Sequence, residues 1–327
     1  MRRHIYPLLG PIKRRIVNAF SNPSLILIYH RVTKLQRDPQ LLAVSPENFE
    51  AQVRILKKEY NLLTPEEYLN FLNDYKKMPR RSVVITFDDG YADNYLESRP
   101  ILESNKARAI FYITTSKIGT TEKLWWDELE EIMFEGSPAG ALELNAHGVV
   151  HRFEVNNEQQ RREVYARLHP LIKNNNVEER ERVLEQVRQW GNVRQPNLHT
   201  HRLLTVDELI SFSKSSACTI GAHTVDHPML SQLDYQSQFD QIMKSRNYLE
   251  KTCGIPVKHF SYPFGVKMHD YNADTVRAVN NIGFDMVASN SYGQAHSWTS
   301  RMEMPRALIR DWDGPTFSTY MKKFFRS

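Results

Sequence analysis

Val83-Val84-Ile85-Thr86-Phe87-Asp88-Asp89-Gly90 is the stretch on which the reading of this chain turns. Its first five residues are β-branched or aromatic with no polar alternation, the pattern of a strand buried on both faces in a parallel sheet. The strand runs directly into two adjacent carboxylates and a glycine. In parallel α/β folds the ligand site lies beyond the carboxyl ends of the strands, and two like charges there need a metal, a cation or water to offset their repulsion. Adjacent residues of an ideal strand point to opposite faces, so both aspartates serve one site only if the chain already turns here. Gly90 supplies such a turn. Taken alone, Asp-Asp-Gly is also an ordinary solvated turn.

Further short apolar runs flank this one, at 25–29, 109–114, 219–222, 259–262, 285–289 and 307–309. Amphipathic helical stretches separate them. Ser45-Pro46-Glu47 opens one whose apolar face is Phe49, Val53 and Leu56, and Thr64-Pro65-Glu66-Glu67 opens the next. Seven strands in βα alternation predict an α/β chain with a parallel sheet, as a closed or nearly closed barrel or as an open doubly wound sheet. Residues from about 119 to 215 break the rhythm and read as a mainly helical insertion. It is expected to hold helices near 125–134, 158–173, 177–190 and 206–213, N-caps at Asn157 and Thr205, and a hairpin over 142–155.

Two more strand ends carry chemistry. Gly221-Ala222-His223-Thr224-Val225-Asp226-His227-Pro228 sets two imidazoles four positions apart, close enough for one turn of chain to bring both to one ion. Two histidines and one carboxylate leave a coordination position open for water, as in catalytic zinc sites. Phe260-Ser261-Tyr262-Pro263-Phe264-Gly265 ends another strand, and by itself reads as a closing turn.

In this order the three elements resemble the polysaccharide deacetylase family, also called the NodB-homology or carbohydrate esterase family 4 fold. The resemblance runs from about Leu25 onward, apart from the insertion. It implies a distorted (β/α)7 barrel in which Asp89, His223 and His227 hold a divalent metal, usually zinc, with Asp88 as the base and the backbone N–H of Phe264 as an oxyanion donor. Tyr262 and Trp125 are further candidates for substrate contact; paired with Trp126 at a helix start, Trp125 also reads as docking the insertion. Ile28-Tyr29-His30-Arg31-Val32 and Leu124-Trp125-Trp126-Asp127-Glu128-Leu129 look like the branch linked to surface-glycan assembly.

The chain departs from the family pattern twice. Ser261 stands where many members have an arginine that orients the base, and Arg306 is the candidate replacement. The late histidine that serves many members as general acid has no counterpart; His30, at a strand end, is preferred over His296 for that role.

The bulk numbers bound the rest. The 327 residues are 41% hydrophobic and 25% charged, ordinary for a folded globular protein. Two cysteines, Cys218 and Cys253, make no disulfide framework and suit a reducing compartment. The net charge of +5 is spread without a basic, aromatic-interleaved stripe, which argues against nucleic acid as a partner. Residues 1–24 combine Arg2, Arg3, Lys13, Arg14 and Arg15 with Leu8, Leu9, Ile12, Ile16 and Phe20, a basic amphipathic pattern suited to an anionic membrane surface or to packing on the protein body. They lack the continuous apolar run of an export signal. The expectation is therefore a cytoplasmic enzyme, with peripheral contact at the inner membrane face as a further option. It would remove the N-acetyl group from an amino sugar in a surface glycan or its lipid- or nucleotide-linked precursor. The alternatives are an N-deformylase of a lipid-linked amino sugar and a catalytically silent glycan-binding barrel.

Overall fold

The computed structural model describes residues 21–73, 78–136, 140–191 and 201–325, so the amphipathic stretch up to residue 20 lies outside the described residues. Seven parallel strands follow in chain order: β1 (Leu25–Tyr29), β2 (Ser82–Phe87), β3 (Ala109–Ile113), β4 (Cys218–Ala222), β5 (His259–Ser261), β6 (Met286–Ala288) and β7 (Ala307–Leu308). Each expected strand is present to within one residue at either end.

The order across the sheet is β6-β5-β4-β3-β2-β1-β7. A doubly wound sheet reverses its direction of travel partway across. This one runs on in a single direction and curls. β7 pairs with β1 through Leu27–Ala307 and Ile28–Leu308. Met304, just before β7, bridges in parallel to Ala288 of β6, with Ser289 N donating to Met304 O at 2.8 Å and Met304 N to Val287 O at 2.9 Å. The circuit is that of a distorted (β/α)7 barrel.

The continuous apolar character of β2 follows from this closure. Val84 belongs to a buried cluster with Ile26, Ile110, Tyr112, Met286 and Ala288, which fills the lumen. Val83, Ile85 and Phe87 join the outer cluster with Phe49, Val53 and Leu56 of the helix Pro46–Glu59. On the outer side Phe87 stacks on Phe111 (centroids 4.6 Å apart), and Phe111 packs on Phe212 (4.5 Å). Such ring pairs contribute about 0.5–1.5 kcal/mol each beyond the area they bury.

Phe212 lies on the helix Val206–Ser213, which therefore packs against β3 as the crossover helix leading to β4. The helices Trp125–Phe134, Glu158–Lys173 and Val177–Gly191 and the hairpin Gly140–Ala146/Val149–Val155 precede it. The expected caps are formed. Thr205 and Glu208 make a reciprocal capping box, and Asn157 Oδ1 accepts from Gln160 N at 2.9 Å. His147 and Gly148, with φ of 52° and 76°, make the tight hairpin turn. Among the described residues no helix is long and apolar enough to cross a membrane.

His259, at the start of β5, is 4% exposed, and its Nδ1 finds no partner among the described residues. Burial pushes its pKa down from the ordinary 6.5 to about 4. A histidine whose folded value is depressed binds its proton more readily when unfolded. Its contribution to stability is thus intact above pH 6.5 and is lost as the pH falls toward 4. Urea titrations at stepped pH are expected to show stability declining across that window, and His259→Gln to flatten part of the decline; an unchanged slope in the variant would exclude His259 as a source.

Candidate active site

The carboxyl ends of β2, β4 and β5 bring the three motifs together. Asp88 keeps the inward parity of Val84 and Thr86. Asp89 then enters the left-handed region (φ 79°) and Gly90 follows at φ 89°, where an added Cβ would sit 2.9 Å from Ile113 Cγ2. This kink places consecutive carboxylates on one site. Four of the ten non-glycine residues with positive φ among the described residues are Asp89, Thr224, His227 and Phe264. Each such conformation costs roughly 1–2 kcal/mol and persists only where its surroundings impose it.

The ligand atoms of Asp89, His223 and His227 all lie within 4.8 Å of one another, and all three side chains are buried. Each Nε2 stands 3.6 Å from Asp89 Oδ1. That is too long for a hydrogen bond, but two atoms each about 2.1 Å from a tetrahedral ion stand about 3.4 Å apart. His223 Nδ1 lies 2.7 Å from the carbonyl of Ser261 and donates to it, which leaves Nε2 with its lone pair. Burial lowers the pKa of both imidazoles, more strongly for His227, and keeps them in the neutral, ligating form. Asp89 is driven the other way, well above the usual carboxylate range, by burial and by the charges of Asp88 and Asp127. A divalent cation relieves that burial penalty, so the donor set fits one.

Asp88 is anchored from inside the barrel. Arg306, only 1% exposed, enters at the start of β7 and spends all five of its N–H donors. Nη1 and Nη2 donate to the two oxygens of Asp88 at 2.7 Å each, Nη2 to Ser261 Oγ at 2.8 Å, Nη1 to Thr86 Oγ1 at 3.3 Å and Nε to Ser289 O at 2.9 Å. Burial raises the Asp88 pKa, but the Arg306 charge, then His223 and the Arg306 hydrogen bonds, outweigh it and hold the carboxyl below its ordinary range. Ser261 leaves the room that this guanidinium fills.

The remaining candidates divide. His30 follows β1, its Nδ1 buried and without a partner among the described residues; burial takes its pKa to about 4, with smaller influences from Asp88, Arg306 and His223. Phe264 sets its ring edge-on to His227 at 4.5 Å, and its backbone N–H meets no acceptor among the described residues. Tyr262 is not brought to the site: its ring stacks on Tyr271 at 4.0 Å and its hydroxyl donates to Met302 O at 2.9 Å, so its side chain is core. Trp125 is buried, edge-on against Trp126 and beside His169. His296 bonds Ser21, near the opposite ends of the strands.

Several residues at the site were not evident in the sequence. Trp126 packs against His227 at 4.8 Å, and its Nε1 donates to Tyr91 Oη (2.8 Å), which donates to Asp127 Oδ2 (2.7 Å). His201 Nδ1 lies 3.0 Å from Asp127 Oδ1 and 2.8 Å from Arg31 Nη1. From the insertion, Arg180 donates to the carbonyls of Asp226 and His227, and Lys173 lies over the Phe264 ring at 4.1 Å while pairing with Asp270. The only early signal was the Trp-Trp-Asp sequence itself.

The sequence profile of the polysaccharide deacetylase family matches residues 75–180 and 171–287, more than half of the chain. The chain belongs to the polysaccharide deacetylase family. Similar to it are the putative polysaccharide deacetylase YxkH of Bacillus subtilis (strain 168), 31% identical over 127 residues, and the poly-beta-1,6-N-acetyl-D-glucosamine N-deacetylase of Staphylococcus aureus (strain MSSA476), 33% identical over 111 residues. These alignments take in 38% and 30% of this chain and 42% and 38% of the relatives, so about two fifths of the relatives' length is matched. Among solved structures, the Streptococcus pyogenes deacetylase PplD in complex with acetate aligns with a TM-score of 0.60 at 17% identity, over 92% of this chain and 98% of that one. IcaB from Ammonifex degensii aligns with a TM-score of 0.60 at 16% identity, over 94% and 98%. At these identities the structural likeness is one of fold.

Removing Arg306 strands the Asp88 charge in the lumen. Arg306→Ala is expected to cost about 3–5 kcal/mol in urea denaturation, and Asp88→Ala/Arg306→Ala to recover part of that loss because the orphaned charge goes too. A single variant of wild-type stability would contradict the pairing.

Proposed function

We propose that this chain hydrolyses the N-acetyl group of an amino sugar in a surface glycan or its precursor, using a divalent cation, zinc by preference, held by Asp89, His223 and His227. The observation that carries the reading is the bidentate hold of Arg306 on Asp88, whose Oδ2 lies 3.8 Å from His223 Nε2 and hence beside the ligand triad. A binding module has no physical need for a buried, charge-locked carboxylate next to three converging ligand atoms. The hold on the base that an arginine at position 261 gives in many members comes here from Arg306, which weighs against a silent barrel. The Staphylococcus aureus relative, named for N-deacetylation of poly-beta-1,6-N-acetyl-D-glucosamine, supports an N-acetylated sugar polymer as the substrate class.

A divalent cation in the triad supplies Lewis acidity toward the amide carbonyl and a lowered pKa for water. Asp88, kept ionised by Arg306, takes the proton of the attacking water and hands it to the departing amine. Phe264 offers its unpartnered N–H to the developing oxyanion. His30 is neutral at pH 7, so a role for it as acid requires a proton gained during the reaction. His223, fixed through Ser261, and His227, fixed through Trp126 and Arg180, keep their Nε2 atoms on one point. The basic, amphipathic character of residues 1–24 supports, as part of the same proposal, a cytoplasmic protein in peripheral contact with an anionic membrane surface.

Metal content of the purified wild type, His223→Ala and Asp88→Asn, with acetate release on the same samples, tests this. Near-stoichiometric metal is expected in wild type and Asp88→Asn and its loss in His223→Ala, with Asp88→Asn slowed by about 10²–10⁴. Formate release in place of acetate from matched substrates would replace the acetyl reading with a deformylase, and wild type without metal under zinc-replete conditions would overturn the mechanism.

A further inference from the structure

The turn that carries the Phe264 N–H is held against its own backbone preference. Phe264 and Gly265 are both left-handed, with φ of 57° and 73°. A phenylalanine stays there only where its surroundings impose it. One restraint is backbone: Asn290 N donates to Gly265 O at 2.8 Å, and a Cβ on Gly265 would lie 2.6 Å from that nitrogen.

The others converge on Asp270, which is 0% exposed. Its Oδ2 accepts from Val266 N at 2.8 Å, while Asp270 N donates to Val266 O at 2.7 Å. Ser231 N, on the chain leaving His227, donates to Asp270 O at 3.0 Å. A carboxylate so buried calls for a cation. Lys173, the last residue of the insertion helix Glu158–Lys173, provides it, with Nζ 3.0 Å from Asp270 Oδ1. His269 Nδ1 is 2.8 Å from the same oxygen, but on a side chain 58% exposed, against 20% for Lys173.

The same ammonium stands 4.1 Å from the centre of the Phe264 ring, which also meets the His227 ring edge-on at 4.5 Å. A cation over an aromatic face is attracted by the ring quadrupole, more strongly as it leaves water. An ion pair that only joined the insertion to the barrel would have no need of this ring.

We infer that Lys173 is a positioning residue for the oxyanion donor: paired with Asp270 and seated over Phe264, it holds the turn 264–266 and so aims the Phe264 N–H beside the metal triad. The catalytic consequence rests on the deacetylase reading; the hold on the turn does not. With Arg180 on the carbonyl of His227, two helices of the insertion each tie down one loop of the site. An oxyanion donor acts in the transition state, so a displaced one lowers kcat and spares ground-state binding.

The test compares the zinc-loaded full chain as wild type, Lys173→Met and Lys173→Arg. Acetate release from the β-1,6-linked N-acetylglucosamine tetramer gives kcat and KM, and mass spectrometry follows deuterium uptake by residues 264–270. Lys173→Met is expected to lose about 10–100-fold in kcat, less than outright removal of a donor, with KM within about twofold and zinc content unchanged. Lys173→Arg, whose guanidinium keeps the charge and stacks on rings, is expected to recover most of that loss. If Lys173→Met did not fold, Lys173→Met/Asp270→Asn, which also removes the stranded charge, takes its place with the same expectation. A wild-type kcat in the neutral variant, a loss carried by KM or by zinc content, or no recovery in Lys173→Arg would overturn the proposal. Wild type without acetate release would fell the deacetylase reading by itself. Faster deuterium uptake at 264–270 in Lys173→Met would then leave the hold of Lys173 on the turn standing, and equal uptake would remove that too.

Discussion

A guanidinium with no access to water, closed onto a carboxylate inside an apolar barrel, is the constraint on which the rest of this site depends. Neither charge is tolerable in that lumen alone, and the pair is tolerable only because every N–H of Arg306 finds an acceptor. Those acceptors come from Thr86 and Asp88 at the end of β2, Ser261 at the end of β5 and Ser289 just beyond β6. Satisfying one side chain therefore fixes the ends of three strands relative to β7, and two of those strands lead into Asp89 and Phe264. The stabilising pair and the geometry of the site are one set of bonds.

The same logic extends to the ligand triad. The carboxylate of Asp89, buried and pushed toward protonation by its neighbours, has no hydrogen-bonding partner among the described residues, only two imidazole nitrogens at 3.6 Å. Left-handed backbone at Asp89, Thr224, His227 and Phe264 holds these groups where an unconstrained chain would not. Strain and an uncompensated carboxylate are both liabilities to folding, and on the proposed function a cation held by the three ligands would offset them. The insertion braces this arrangement from one side, through Arg180 on the His227 carbonyl and Lys173 over Phe264.

Much of this was legible in the sequence because the physics is local. β2 reads as a doubly buried strand from Val83 to Phe87, Thr205 and Asn157 announce helix starts, and two histidines four apart after a strand announce a ligand pair. Open sheet against closed barrel was not legible, since both give the same one-dimensional alternation and only the contacts of the β7 segment, with β1 on one side and through Met304 with β6 on the other, separate them. Arg306 was reachable as a candidate from what Ser261 lacks, but its five bonds draw on three other strands. Tyr262 and Trp125 went the other way: each sits in a motif that looks exposed to substrate, and each is turned into the core by an aromatic partner, Tyr271 or Trp126, that the sequence does not mark. The network of Trp126, Tyr91, Asp127 and His201 spans more than a hundred residues of chain and leaves no periodic trace. The insertion, read as ending near residue 215, gives up the helix Val206–Ser213 to the barrel because Phe212 finds Phe111.

On the proposed mechanism an arginine in the lumen, from whichever strand, is what makes Asp88 a competent base. The most direct measurement is kcat/KM for acetate release by wild type, Arg306→Ala and the relocated Ser261→Arg/Arg306→Ala, all loaded with the same metal. A fall of about 10²–10⁴ is expected in Arg306→Ala and recovery to within about tenfold of wild type when the arginine returns from β5. Wild-type rates in Arg306→Ala, or a relocated variant no faster than the single one despite native stability, would contradict it.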